Sequence, residues 1–244
     1  MPEPLKIVKS EEYWFPGRWV GGTAMIFGSL FLLAGVLLRL QFHFFFPQQL
    51  AAFQEHPTLI TASYSFFLAG NIVLWPAIVT LAKLIGATKP AWALWGGTLV
   101  MFGLFARTFH AGVDHLAFQL VPAQDLPAAI KIMAGSYGAF HIVSSLNFAI
   151  LFGCIVLALG AYLSGTLGLL RSIALGSMAA LMIGVLKGSS VTSVVCVTGL
   201  SIALVPLGVA VLRAPPRPRF HTVLGWSVFV TVLIAAMVYT GQLG

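Results

Sequence analysis

Long apolar stretches alternate with short polar interruptions along almost the whole chain. A helix needs roughly 20 apolar residues to cross the hydrocarbon core of a bilayer. Seven stretches reach about that length, so the pattern predicts an all-α fold, a polytopic membrane bundle of about seven transmembrane helices. The predicted spans cover residues 19–42, 59–85, 91–111, 132–159, 169–186, 191–212 and 220–239.

Composition supports a membrane protein. Of the 244 residues, 59% are hydrophobic and 8% charged, whereas soluble domains carry about 25% charged residues. The net charge of +7 reflects few acids rather than a basic run, which excludes nucleic-acid binding. We expect a multi-pass protein of the cell membrane, most simply a bacterial inner membrane. Its partners would be the lipid bilayer, other membrane subunits and a small-molecule ligand.

Basic residues in the short loops predict the orientation, because cytoplasmic loops are enriched in Lys and Arg. With the N-terminus inside, nine basic residues lie on the inner side and three on the outer side, namely Arg39, Lys131 and Lys187. The N-terminus is therefore predicted inside and the C-terminus outside. The chain is expected to be a single transmembrane domain, with residues 1–18 as a cytoplasmic tail and 19–244 as the bundle.

The third predicted span contains ionisable residues that hydrocarbon normally excludes. At about 100° per residue, Arg107, His110 and Asp114 fall within about 60° of one another on a helix, and His115 points about 80° away from Arg107. A carboxylate on this face can pair with the guanidinium or orient an imidazole. This stripe is the main candidate site.

A second histidine follows on the next span, whose face through Ala134, Gly138 and His141 is small or polar. The rise of 1.5 Å per residue places His110 and His141 both about 10 Å below the outer surface. Two imidazoles at equal depth on consecutive helices could ligate one cofactor.

The cofactor expected from these residues is haem b or a transition metal. Haem would use His110 and His141, with Arg39 or Arg107 for a propionate. Zinc, copper or iron would need a further ligand from Asp114 or His115. The leading hypothesis is therefore a redox or metal-dependent role inside the membrane, with no catalytic residue assigned and enzyme activity left open.

Two other classes of function fit the same sequence. The protein could be a transporter or ligand-binding membrane protein that uses Arg107 in an outer pocket between the second, third, fourth and sixth spans. It could also be a cofactor-free accessory or immunity-type protein, whose polar cluster only fixes helix packing. Further polar residues of the outer half are Tyr64, Ser189 and Ser193, with Asn71 deeper.

Overall fold

The computed structural model of the chain describes residues 14–136, 142–182, 188–215 and 220–241. Every regular element in these ranges is helical, as the sequence predicts. Contacts divide the described residues into two units, of which the first lies within residues 14–212 and the second within residues 213–241. The single transmembrane domain expected from the sequence stays a prediction.

Nine α-helices and two 3₁₀ segments make up the described parts of the chain. The helices are α1 (Arg18–Leu38), α2 (Phe46–Glu55), α3 (Pro57–Gly86), α4 (Pro90–Ala123), α5 (Leu126–Ser136), α6 (Asn147–Leu163), α7 (Leu169–Gly176), α8 (Val191–Arg213) and α9 (Phe220–Gly241). The 3₁₀ segments are Ile142–Leu146 and Ser177–Met182.

Local sequence signals explain several helix starts. Pro47, Pro57 and Pro90 occupy the first or second position of α2, α3 and α4, where the missing N–H of proline costs no hydrogen bond. The Asp125 carboxylate accepts the backbone N–H of Ala128 at 2.7 Å at the start of α5, as an N-capping residue does.

Six helices of the first unit form a closed ring. α1 packs on α3, α3 on α4, α4 on α6, and α6 on α7. α8 completes the ring, because the Ser201 hydroxyl donates to the Ser29 carbonyl of α1 at 3.4 Å and Gly199 lies against the Ala174 carbonyl of α7. Leucines from all six helices fill the interior, namely Leu32, Leu81, Leu104, Leu157, Leu175 and Leu204.

Glycines bring the backbones of neighbouring helices together. Gly21, Gly28 and Gly35 are seven residues apart and lie on the face of α1 that meets α3. A Cβ at Gly35 would lie 2.7 Å from the α3 backbone, and one at Gly70 would lie 2.6 Å from the α1 backbone. Neither position has room for a side chain, so this close helix contact requires glycine at both positions.

A second apolar cluster covers one end of the ring. It contains residues of α2, the start of α3, the end of α4, and α5. The Phe118 ring is at its centre, with ring centroids of Phe46, Phe53 and Tyr64 at 6.0, 5.0 and 4.7 Å. We call α2, α5 and the adjoining ends of α3 and α4 the cap.

Four described helices are long and apolar enough to cross a membrane, namely Arg18–Leu38, Pro57–Gly86, Val191–Arg213 and His221–Gly241. They match the first, second, sixth and seventh predicted spans. The third predicted span lies within α4, which is longer than predicted and continues through Asp114 and His115 to Ala123. A four-span count is thus supported by length and composition, whereas seven spans remain a prediction.

The fourth and fifth predicted spans differ most from the structure. Between residues 132 and 159, the described residues contain the end of α5, a 3₁₀ segment and most of α6 rather than one continuous helix. Gly135, Ser136 and Ser145 fall in this part, and glycine and serine have low helix propensity. The fifth changes from α-helix to 3₁₀ after Gly176, where the Ser177 hydroxyl bonds the Ala174 carbonyl at 2.7 Å.

The second unit contains α9, a helix of 22 residues. Its described side chains are exposed along the whole helix, including Trp226, Phe229 and Leu233. An apolar helix of this kind is stable in lipid rather than in water.

Candidate functional site

A cavity of about 460 Å³ lies where the ring meets the cap. Its walls come from the C-terminal end of α1, the first half of α3 and the middle of α4, from α2 and α5, and from residues of α6, the second 3₁₀ segment and α8. Most of the lining is aliphatic or aromatic. The volume and the few polar groups are typical of small-molecule sites, which measure roughly 300–1,000 Å³.

Arg39 follows the last residue of α1 and lines this cavity. The side chain is only 2% exposed. Its Cζ lies 4.4 Å from the ring centroid of Tyr64 and 4.6 Å from that of Phe67, so two aromatic faces hold the guanidinium by cation–π contact. Arg39, which the sequence analysis counts on the outer side and offers as a partner for a propionate, is thus buried at the cavity.

The hydrogen bonds of Arg39 are incomplete within the described residues. Its Nε donates to the Ser189 hydroxyl at 2.9 Å. Its buried Nη1 has no acceptor among the residues that the structure describes. A buried guanidinium N–H without an acceptor is costly, and here it belongs to a side chain on a cavity wall.

Arg107 provides a second guanidinium at the same cavity. It is half-buried on α4, and its Cζ lies 5.9 Å from the ring centroid of Phe67. Phe67 therefore contacts both arginines. Arg107 also lines a small cavity of about 20 Å³ inside the ring. Asn71 lines that cavity too, and its buried Oδ1 has no donor among the described residues.

The helix-face prediction for α4 agrees with the structure. Arg107, His110 and Asp114 all line the cavity, whereas His115 is exposed and does not line it. Asp114 is 7% exposed, and the His110 ring has a T-shaped contact with Phe109 at 5.8 Å. The cavity thus combines two guanidinium groups, one carboxylate and one imidazole.

The proposed cofactor ligands are only partly brought together. His141 lies outside the described residues, so its distance from His110 stays open. Within the described ranges, no three His, Cys, Asp or Glu side chains come close enough to hold a metal ion. His115 cannot join His110 and Asp114 at the cavity, because it projects from a different face of α4.

Several residues of the site carry weak sequence signals or none. Tyr64, Ser189 and Ser193 were expected among the polar residues of the outer half, and the structure places them at or beside the cavity. The cavity contribution of Phe46 and Leu50 was not expected, because α2 lies in what the sequence presents as a loop. The proline at the start of α2, followed by apolar residues, is the signal that could have identified it.

The chain matches no described protein family, and no characterised protein or solved structure shows significant similarity to it. The class of protein therefore follows from the fold alone. The regular elements of the described residues are all helical, and four of these helices are long and apolar enough to cross a bilayer, as in a membrane protein.

Proposed function

We propose that this multi-pass membrane protein binds a small molecule with a negatively charged group in the cavity between ring and cap. The observation that carries the proposal is the buried Arg39, whose Nη1 lacks an acceptor within the described residues. Arg39 and Arg107 would bind the charged group, and the apolar wall would bind the rest of the molecule. This is the ligand-binding alternative of the sequence analysis, with Arg39 added to Arg107.

The chemistry of Arg39 supports an oxyanion as the bound group. A guanidinium presents several N–H donors in one plane and can bind a carboxylate, sulfate or phosphate through two parallel hydrogen bonds. Ser189 fixes Nε, and the rings of Tyr64 and Phe67 fix the plane of the group. Such a preorganised donor loses little conformational entropy when a ligand binds.

The proposed topology has seven spans, with the N-terminus inside and the C-terminus outside. It is supported by the nine-to-three bias of basic loop residues. The cavity adjoins Arg39 at the C-terminal end of α1, so this orientation opens the site towards the outer side of a cell membrane.

Substitution of Arg39 tests the proposal with purified protein in phosphatidylcholine nanodiscs. We expect Arg39→Met to abolish calorimetric binding of 2-naphthoate, while the free energy of unfolding changes by only about 1 kcal/mol, because an apolar replacement removes the buried charge. Arg39→Lys should weaken binding about tenfold, because an ammonium group lacks the planar fork. Arg213→Met, which changes an exposed arginine, is the matched control and should bind like the wild type.

The opposite result would show that Arg39 has only a structural role. If both Arg39 variants bind 2-naphthoate like the wild type, or if the wild type does not bind it, the proposal is wrong. A cofactor-free accessory protein would give the latter result.

Haem or a transition metal, the cofactor that the sequence predicts, is a second candidate, because two of the predicted metal ligands, His110 and Asp114, line the cavity together with Arg39 and Arg107. Haem would use His110 as an axial ligand and an arginine for a propionate. The same preparation tests it by its absorption spectrum and metal content. A Soret band or about one equivalent of zinc, copper or iron supports this candidate, and a colourless, metal-free protein that takes up neither on titration excludes it.

A further inference from the structure

The described wall of the cavity carries more positive than negative charge. Within the described part of the chain, the wall carries two positive charges, Arg39 and Arg107, and one negative charge, Asp114, with His110 formally neutral at pH 7. By formal count, the described wall residues thus carry one net positive charge. A ligand with a single negative charge would neutralise it.

The negative group of the described wall is Asp114. This carboxylate is 7% exposed and lines the same cavity as the arginines. Charges of one sign repel strongly where water is largely excluded, because the effective dielectric constant is low. A like-charge contact at a binding site costs several kcal/mol and serves to reject the wrong partner.

The remaining wall indicates the body of the ligand. Phe45, Phe46, Leu50, Ile130 and Met133 are among its apolar residues. At about 30 Å³ for each water-sized group, a cavity of about 460 Å³ accommodates roughly fifteen such groups. An inorganic anion would fill only a small part of this volume.

We propose that the cavity selects a monoanionic amphiphile of small-molecule size, and that Asp114 is the specificity-determining residue that rejects dianions. The inference rests on the proposed function, because it assumes that the arginines bind the charged group. It adds the charge and size of the ligand and a role for Asp114.

Two probes with nearly the same shape but different charge test how the charge of the ligand affects its affinity. 2-Naphthyl sulfate carries one negative charge, whereas 2-naphthyl phosphate carries close to two at about pH 7.5, since its second pKa is about 6. In nanodiscs of phosphatidylcholine, we expect the wild-type protein to bind the sulfate at least about tenfold more tightly than the phosphate. Equal affinities, or tighter binding of the phosphate, would overturn the inference even if Asp114 variants do not fold.

Variants at Asp114 then assign the selectivity. Asp114→Asn keeps the shape of the side chain and removes its charge, so the preference for the sulfate should fall to about threefold or less. Asp114→Glu keeps the charge and should keep the preference. An unchanged preference in Asp114→Asn would show that another group rejects the dianion.

The outcomes separate this inference from the proposed function. Suppose that Arg39→Met loses all binding and that the wild type binds the sulfate and the phosphate equally. This result would support the anion site of the proposed function and would contradict the proposed rejection of dianions. Decanoate, a monoanionic amphiphile without an aromatic ring, tests the proposed ligand class with a second probe. We expect decanoate to displace 2-naphthyl sulfate, and no displacement would contradict a site for monoanionic amphiphiles.

Discussion

Single glycines determine how closely the ring helices approach. A Cβ built on Gly35 would meet the backbone nitrogen of Phe67 and the carbonyl oxygen of Ser63, both at 2.7 Å. Neither atom belongs to a flexible side-chain end, so the two helices would have to separate. Gly112 on α4 is the contrasting case, because a Cβ there would meet nothing within 4 Å.

Gly35→Ala should therefore destabilise the protein by about 1–3 kcal/mol through overpacking. Gly112→Ala should be neutral or slightly stabilising, because alanine has the higher helix propensity. Thermal unfolding of both variants in the same detergent, followed by circular dichroism, measures the difference. Equal unfolding temperatures for the two variants would contradict the close contact at Gly35.

The part of the site that follows from helical periodicity could be predicted from the sequence. Arg107, His110 and Asp114 share a face because their spacing follows the helical period, and the structure places all three on the cavity wall. The burial of Arg39 could not be predicted in the same way. It depends on the cap, and on Ser189, which is 150 residues away in the chain.

At the scale of elements, α2 explains why the cavity is closed on one side. Leu50 is fully buried in the cap, and Gln49 next to it donates through Nε2 to the His43 carbonyl at 2.6 Å. This ten-residue helix is too short to span a bilayer. Its buried face packs against the ends of α3 and α4. A sequence interpretation that places these residues in a loop cannot predict such contacts.

Leu50→Ala should remove much of the contact between α2 and the rest of the cap. We expect it to lower the free energy of unfolding by about 2–5 kcal/mol, the usual cost of truncating a buried leucine. Gln48→Ala, at an exposed position of the same helix, should change it by less than about 0.5 kcal/mol. Chemical denaturation of the two variants in matched micelles gives both values. If Leu50→Ala is as stable as Gln48→Ala, α2 does not contribute to the folded cap.

The long helices were the easiest elements to predict, because an unbroken apolar run has one interpretation in a bilayer. The segments around residues 132–159 and 169–186 were harder. Glycine and serine interrupt them, and tertiary contacts rather than hydropathy then decide where an α-helix changes to 3₁₀.

At the scale of the whole molecule, the topology depends on how many segments cross. Reporter fusions after Gly86 and Pro215 should report the cytoplasm, and fusions after Gln54, Gln124 and Gly244 the outer side, because of the bias in basic residues. α7 and the 3₁₀ segment after it, Ser177–Met182, extend over about 24 Å, less than the roughly 30 Å of hydrocarbon. A cytoplasmic C-terminus would mean that this fifth segment does not cross.

The glycine contacts between α1 and α3 also restrict how the protein can move. Gly21, Gly28 and Gly35 of α1 face α3, and Gly70 of α3 contacts α1 between Gly28 and Gly35. A piston-like shift by one helical turn would bring Phe31 or Arg39 to the level of Gly35, where the α3 backbone leaves no room. Sliding of α1 along α3 is therefore blocked, and Arg39 keeps its height relative to Phe67. Access to the cavity would then depend on α2 and α5 of the cap, while Arg39 stays in place.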